Sequence, residues 1–284
     1  MIRVRRSPDA EAFLALAGPF LGEREAEHNL LLGICSSLLR DPAPFGQGPA
    51  YLAIVEDDDR VIAAALRTPP HNVVLSETDP AAIGPLVLDV HDALTSVPGV
   101  IGPSLAASAF ARRWCELAGG TATRRMANRI YRASSATPPT GVPGAMRAYR
   151  EGDRDLTVRW LDAFVREALP DEAMNDHAED LLRRRLTDPD GDVRFWDVEG
   201  APVALASFGQ RTPNGIRVGP VYTPPEFRGN GYASVLVGQM TAELLDGPHR
   251  FCFLFTDLAN PTANGIYQRI GYEAVGDVEH YAFV

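Results

Sequence analysis

Between residues 218 and 245 the chain reads strand, turn, helix. Val218-Gly219-Pro220-Val221-Tyr222-Thr223-Pro224-Pro225 leads into Arg228-Gly229-Asn230-Gly231-Tyr232-Ala233 and then an apolar-periodic run from Ser234 to Leu245. Glycines at 229 and 231 allow φ > 0 and close approach of the backbone to a ligand, which a Cβ would obstruct. The helix that follows points its first free N–H groups and the positive end of its dipole into the curl, where an anion is stabilised. A phosphate group is the expected occupant. Taken alone, two glycines before a helix serve equally well as a tight connection.

A second segment narrows the choice. Phe251-Cys252-Phe253-Leu254-Phe255-Thr256 is an apolar run of strand length, and Asp257 to Tyr272 reads as a short helix leading into a further strand. Arg-x-x-Gly-x-Ala at 228 to 233, followed by Asn260-x-x-Ala263-x-x-x-Tyr267-x-x-x-Gly271-Tyr272, resembles the GNAT superfamily of N-acetyltransferases. The resemblance spans residues 145 to 284. No Lys follows the second glycine, so the loop is not a nucleotide-triphosphate P-loop, and it also departs from the dinucleotide fingerprint.

A chain of 284 residues with 45% hydrophobic content can fill two cores. No apolar run reaches the length of a bilayer crossing, and Met1-Ile2-Arg3-Val4-Arg5-Arg6 leads into an amphipathic segment rather than a signal-peptide core, so a cytoplasmic protein without membrane attachment is expected. Cys35, Cys115 and Cys252 lie far apart in apolar contexts and read as buried small hydrophobes. Zinc spacing is absent and the six scattered histidines show no ligand-spaced pair, so no metal is expected; His177, in Asp176-His177-Ala178-Glu179, is the one histidine to watch, or simply a solvated helix position. A net charge of −10 opposes nucleic-acid binding, which draws on cationic side chains, and suits a cationic acceptor better.

Ala133 to Gly144 is rich in Pro, Ser and Thr and lacks a periodic apolar face, the pattern of a linker. On either side the chain repeats weakly at an offset of 144: Arg3, Arg6 and Asp9 precede Arg147, Arg150 and Asp153, and Arg67-Thr68-Pro69 precede Arg211-Thr212-Pro213. Each half opens with a short strand and an amphipathic helix, Leu156 to Ala168 in the second, and continues into a hairpin: Tyr51 to Val55 with Val61 to Leu66, and Val193 to Val198 with Val203 to Phe208. The expected organisation is a degenerate domain over 1–135, a linker over 136–144 and a catalytic domain over 145–284. At the 144-residue offset the loop falls on Gly84 to Asp89, and Asn260 and Tyr267 fall on Glu116 and Thr123, so the first half lacks the cofactor site.

The resemblance implies an α/β (α+β) protein of two tandem acyl-CoA N-acyltransferase-like domains, each a mixed, mostly antiparallel sheet flanked by helices. It implies acetyl-CoA as co-substrate, with the acetyl group moved to a primary amine of a small molecule or peptide by direct attack. The N–H groups of Gly229, Asn230, Gly231, Tyr232, Ala233 and Ser234 would hold the diphosphate, with Arg228 bracing the loop. The end of the preceding strand, Val221-Tyr222-Thr223, would pair with the pantetheine arm, and the amide of Tyr222 or Thr223 would face the oxyanion. Asn260 would bind the same arm, cap the following helix, or do both. Tyr267 would protonate the leaving thiolate, a task suited to a phenol.

The general base is less legible, because Phe255 occupies the position where some relatives carry a glutamate. Asp257 at the strand end is the catalytic candidate, with Asp171, Glu172 and Asp176 as alternatives or simply a solvated helix start. Two rival readings are a non-catalytic acyl-CoA-binding or regulatory module, and aminoacyl transfer from a charged tRNA, which the acidic balance opposes. The acceptor is not specified, and a homo-oligomer stays open.

Overall fold

The structure is a computed structural model that describes residues 1–41, 48–168 and 178–284. In chain order the first elements are β1 (Ile2–Arg6), α1 (Ala10–Glu23), α2 (Asn29–Arg40), β2 (Tyr51–Asp57), β3 (Arg60–Arg67), β4 (Val73–Leu75), α3 (Pro80–Ala93), β5 (Gly99–Pro103), α4 (Ser104–Ala118) and β6 (Ala122–Ala133). They are followed by β7 (Ala145–Ala148), α5 (Arg154–Ala168), α6 (Ala178–Thr187), β8 (Asp192–Val198), β9 (Ala201–Gly209), β10 (Gly215–Tyr222), α7 (Tyr232–Asp246), β11 (Phe251–Asp257), α8 (Pro261–Ile270) and β12 (Glu273–Phe283). Among the described residues no helix is long and apolar enough to cross a membrane.

Two compact units result: residues 1–130 with 257–259 and 275–284, and residues 131–256 with 260–274. The division is therefore not contiguous, unlike the halves 1–135 and 145–284 suggested by the sequence. The last strand is the reason. Val278 to Ala282 pair antiparallel with Pro103 to Gly99 of β5, and the missing side chain of Gly99 lets the Tyr281 carbonyl come close. Tyr281 and Phe283 add to the first unit's core, Phe283 stacking on Trp114 at 5.5 Å.

The first unit's strands run in the order β1-β2-β3-β4-β5-β12, antiparallel except for β4 with β5. β2 reads apolar from Tyr51 to Val55 because both of its faces are covered there. Tyr51, Ala53 and Val55 pack with α3 and α4, while Leu52 and Ile54 pack with α1 and α2. Asp58 and Asp59 turn the β2–β3 hairpin with positive φ, the conformation their short polar side chains tolerate.

The second unit's strands run β11-β10-β9-β8-β7, with β10 and β11 parallel and the other pairs antiparallel. On one face α7 covers Val218, Ala204 and Cys252, and on the other α5 and α6 cover Phe195, Val193 and Leu205. Each unit is thus a mixed, mostly antiparallel sheet with helices on both faces. The Pro-rich segment expected as a linker lies packed within this unit. Thr137 N–H donates to the Ile270 carbonyl (2.8 Å), and Trp196 Nε1–H donates to that of Pro143 (2.8 Å). Gly238 lacks the Cβ that Pro138 would otherwise meet at 2.8 Å.

His28 links local sequence to stability in the first unit. Its ring is buried, stacks on Phe20, donates from Nδ1 to the Leu21 carbonyl (3.0 Å) and accepts at Nε2 from Glu77 N–H (3.1 Å). Only the neutral tautomer satisfies both bonds, and burial lowers the pKa below 6.5. Below that pH the unfolded chain takes a proton that the folded one refuses, so this contribution is present above it and is lost on acidification. Urea titrations at neutral pH and at mildly acidic pH should show the stability gap between wild type and His28→Gln narrowing as pH falls; a gap independent of pH would contradict this assignment.

Candidate active site

The parallel ladder between β10 and β11 stops early. Gly215, Ile216 and Arg217 pair with Phe251, Cys252 and Phe253, after which β10 continues to Tyr222 and β11 to Asp257 without further pairing to each other. The strands part, and β10 also breaks register with β9 between Val218 and Val221, where Gly219 has φ 129°. A bulge of this kind bends a strand and re-aims its groups. Gly219-Pro220 is where the sequence suggested an irregular strand.

The loop after β10 takes the shape that its glycines permit. Gly229 and Gly231 have φ 84° and 81°, and Gly231 is the N-cap of α7 with no side chain to fill the helix end. Val235 N–H donates to the Gly231 carbonyl, so the N–H groups of Tyr232, Ala233 and Ser234 form the first turn that lacks intrahelical acceptors. Asn230 Nδ2 donates to the Phe227 carbonyl (3.1 Å) and to that of Arg228 (3.3 Å), which keeps the turn curled. A Cβ on Gly229 would meet nothing, whereas one on Gly231 would approach Val142 Cγ2 at 3.4 Å in a backbone region that side chains avoid. These donors fit a diphosphate.

Arg228 braces the loop from outside. Its Nε donates to the Thr223 carbonyl (2.9 Å) and its Nη2 to Glu167 Oε2 (2.6 Å), while Tyr222 OH donates to Glu167 Oε1 (3.2 Å). Glu167, at the end of α5, carried no sequence signal because its two partners arrive from distant positions. Among the described residues, the buried Thr223 Oγ1 has no hydrogen-bond partner.

Asn260 is the N-cap of α8, its Oδ1 accepting from Ala263 N–H at 3.0 Å, with Pro261 in the first turn as expected. Tyr267, on the same helix, meets Tyr272 edge-on at 6.0 Å, and among the described residues its hydroxyl has no hydrogen-bond partner. Burial pushes its pKa up to about 12, so the phenol holds its proton at neutral pH. Asp257 ends β11 and accepts from Ala259 N–H (2.8 Å), and it falls in the first unit, whereas the glycine loop is in the second. Asp171, Glu172, Asp176 and His177 lie outside the described residues. Cys35 and Cys252 are buried free thiols, pushed up to about 12, and among the described residues no cluster suits a metal ion.

The same elements in the first unit are closed. α3 starts at Pro80 and α7 at Tyr232, 152 positions apart, so matching elements places the loop on Ser76 to Ala81 rather than on Gly84 to Asp89. Asp79 stands where Gly231 does and fills the helix end itself, accepting from Ala81 N–H (2.9 Å). Next to β4, Gly102 lies so near Leu75 that a Cβ would stand 2.8 Å from the leucine Cβ. Tyr267, the seventh residue of α8, corresponds to Phe110, the seventh of α4, rather than to Thr123. Phe110 is a buried core ring without a hydroxyl.

A protein-family model described as FR47-like protein matches residues 198–284. Full-length likeness comes from solved structures. A Drosophila protein is 13% identical over 99% of this chain and 98% of its own, with TM-score 0.71. A GCN5-related N-acetyltransferase from Sphaerobacter thermophilus is 18% identical over 99% and 95%, with TM-score 0.59. A tandem GNAT protein from the clavulanic acid biosynthesis pathway is 12% identical over 100% and 98%, with TM-score 0.57. The chain carries the GNAT fold in tandem. No curated protein matches it at a significant level.

Two outcomes follow from this GNAT geometry. For a loop that holds a coenzyme A diphosphate, Gly231→Glu, which sets a carboxylate at the helix end, should weaken binding by about tenfold or more, roughly 1.4 kcal/mol, and Gly231→Ala by less. Equal weakening in both, measured by calorimetry, would assign the loss to backbone strain. Asn260→Ala should lower stability by about 1 kcal/mol in denaturant titration, and an unchanged midpoint would remove the capping role.

Proposed function

We propose that this protein is an acetyl-CoA-dependent N-acetyltransferase whose chemistry is carried by the second GNAT copy, with a small-molecule or peptide amine as acceptor. The observation that supports this reading most is the coincidence, in one unit, of an open helix end at Gly231 and strands that part after Arg217 and Phe253. The fold is one that supports acyl transfer. Acetyl-CoA would supply the activated acyl group, and every other task falls to the chain.

The N–H groups from Gly229 to Ser234 bind the diphosphate, and Arg228 keeps that loop on Thr223. The end of β10 then lies beside the acyl group, where the amide of Tyr222 or Thr223 stabilises the charge that develops on the carbonyl oxygen. An amine attacks the carbonyl carbon, the carbon–sulfur bond breaks, and Tyr267 gives its proton to the departing sulfur. A phenol held protonated by burial is suited to that step, because a thiolate near a buried hydroxyl is itself poorly solvated. Asp257 is the assigned base for the amine proton.

Tyr267→Phe should lower kcat by about 10²-fold with coenzyme affinity nearly intact, measured as thiol release from acetyl-CoA across a panel of primary amines. Unchanged turnover would remove the acid role, and absence of thiol release from the wild type with every amine would favour a coenzyme-binding module without turnover. Asp257→Asn keeps an acceptor for Ala259 N–H and should leave stability intact while lowering kcat; an unaltered pH–rate profile would free Asp257 of the base assignment.

A further inference from the structure

The bulge in β10 is held from one side by groups that acyl transfer as described does not use. Arg185, on α6, sends Nη2 to the Gly219 carbonyl at 2.7 Å, and Ser207, buried in β9, donates its hydroxyl to the same oxygen at 2.9 Å. A carbonyl has two lone pairs, and both are engaged here. The Arg185 contact is a charge-assisted bond of the usual length.

The surroundings are shaped for that guanidinium. A Cβ on Gly209 would stand 2.6 Å from Arg185 Nη1 and 3.0 Å from Asp188 Oδ2, so only glycine admits the pair. Asp188 accepts from Asp190 N–H (3.1 Å) and Gln210 N–H (2.9 Å), which fixes its carboxylate beside the guanidinium. Burial and the nearby Arg217 lower the Arg185 pKa to about 10, which leaves it charged at neutral pH. Taking a cation out of water costs free energy, and its direct bond is to the one carbonyl where β10 leaves its register.

We propose that Arg185, seconded by Ser207, is a positioning residue for acyl transfer: by pinning the Gly219 carbonyl it fixes the bulge that sets the direction of the Val221 to Thr223 amides. Pro220 has no N–H, so the next amides along the strand are those of Val221, Tyr222 and Thr223. In an antiparallel strand successive N–H groups alternate sides, so a small rotation at the bulge decides which amide faces the gap and at what angle. An error of an ångström at that point costs turnover far more than binding, because the diphosphate is held elsewhere. This rests on the acyl-transfer reading of the second GNAT copy.

The test uses the full chain and acetyl-CoA isotopically labelled at the thioester carbonyl, which needs no acceptor. On binding to the wild type the carbonyl stretch should move to lower wavenumber as the oxygen accepts a hydrogen bond. In Arg185→Met that displacement should largely vanish while the acetyl-CoA Kd changes less than about threefold, and Arg185→Lys should restore part of it. Ser207→Ala, a small change in a buried site, should give an intermediate displacement and decides the matter if Arg185→Met does not fold. A displacement unchanged in Arg185→Met, or in Ser207→Ala where that variant must decide, overturns the proposal, as does one that weakens in step with affinity, the sign of a general structural lock. Failure of the wild type to bind acetyl-CoA would instead overturn the acyl-transfer reading itself.

Discussion

A strand inside a sheet pairs its peptide groups on both sides, and β10 keeps that arrangement only as far as Arg217. Beyond it the groups on the β11 side lose their ladder partners, and groups of this kind must be satisfied by side chains, water or a ligand. The chain meets a like demand at the bulge, where β10 leaves its register with β9: Arg185 and Ser207 take the Gly219 carbonyl, and Pro220 has no N–H to leave unpaired. It meets another at the Thr223 carbonyl, which accepts from Arg228. Val221 and Tyr222 still pair with Ala206 and Leu205 of β9, so the amides between these two anchors alternate between that strand and the gap left where β10 and β11 part, and the open first turn of α7 stands one loop further along the chain. In the proposed function, cofactor fixation and oxyanion stabilisation both draw on the early end of one ladder.

The first unit shows how little of this the fold itself requires. It has the same succession of strands and helices, yet Leu75 packs against Gly102 beside β4, Asp79 occupies its own helix end, and Phe110 stands where Tyr267 would. Each change puts an internal contact where the second unit has parted strands, an open helix end or a tyrosine. Fold and site are separable in this chain, as two copies of one architecture with different helix ends show.

What was legible in the sequence was local. The glycine loop, the Asn260-Pro261 helix start and both hairpins follow from backbone rules that act over a few residues, and the irregularity at Gly219-Pro220 does as well. Non-local pairing was not legible. No pattern within β12 says that Val278 to Ala282 will pair with Pro103 to Gly99, since an amphipathic strand fits more than one edge. The 144-residue offset matched the opening of each half but ran eight residues off by α3, because the loops between β3 and the following helix differ in length. Arg185 and Glu167 left no trace in the sequence: the first bonds to a backbone carbonyl, which every residue has, and the second to side chains more than fifty positions away.

A crystal structure of the protein with coenzyme A tests the account most directly. The diphosphate oxygens should lie within hydrogen-bonding distance of the N–H groups between Gly229 and Ser234, with the thiol end running between β10 and β11. A diphosphate seated at the Asp79 end of α3, or no coenzyme bound at millimolar concentration, would contradict it.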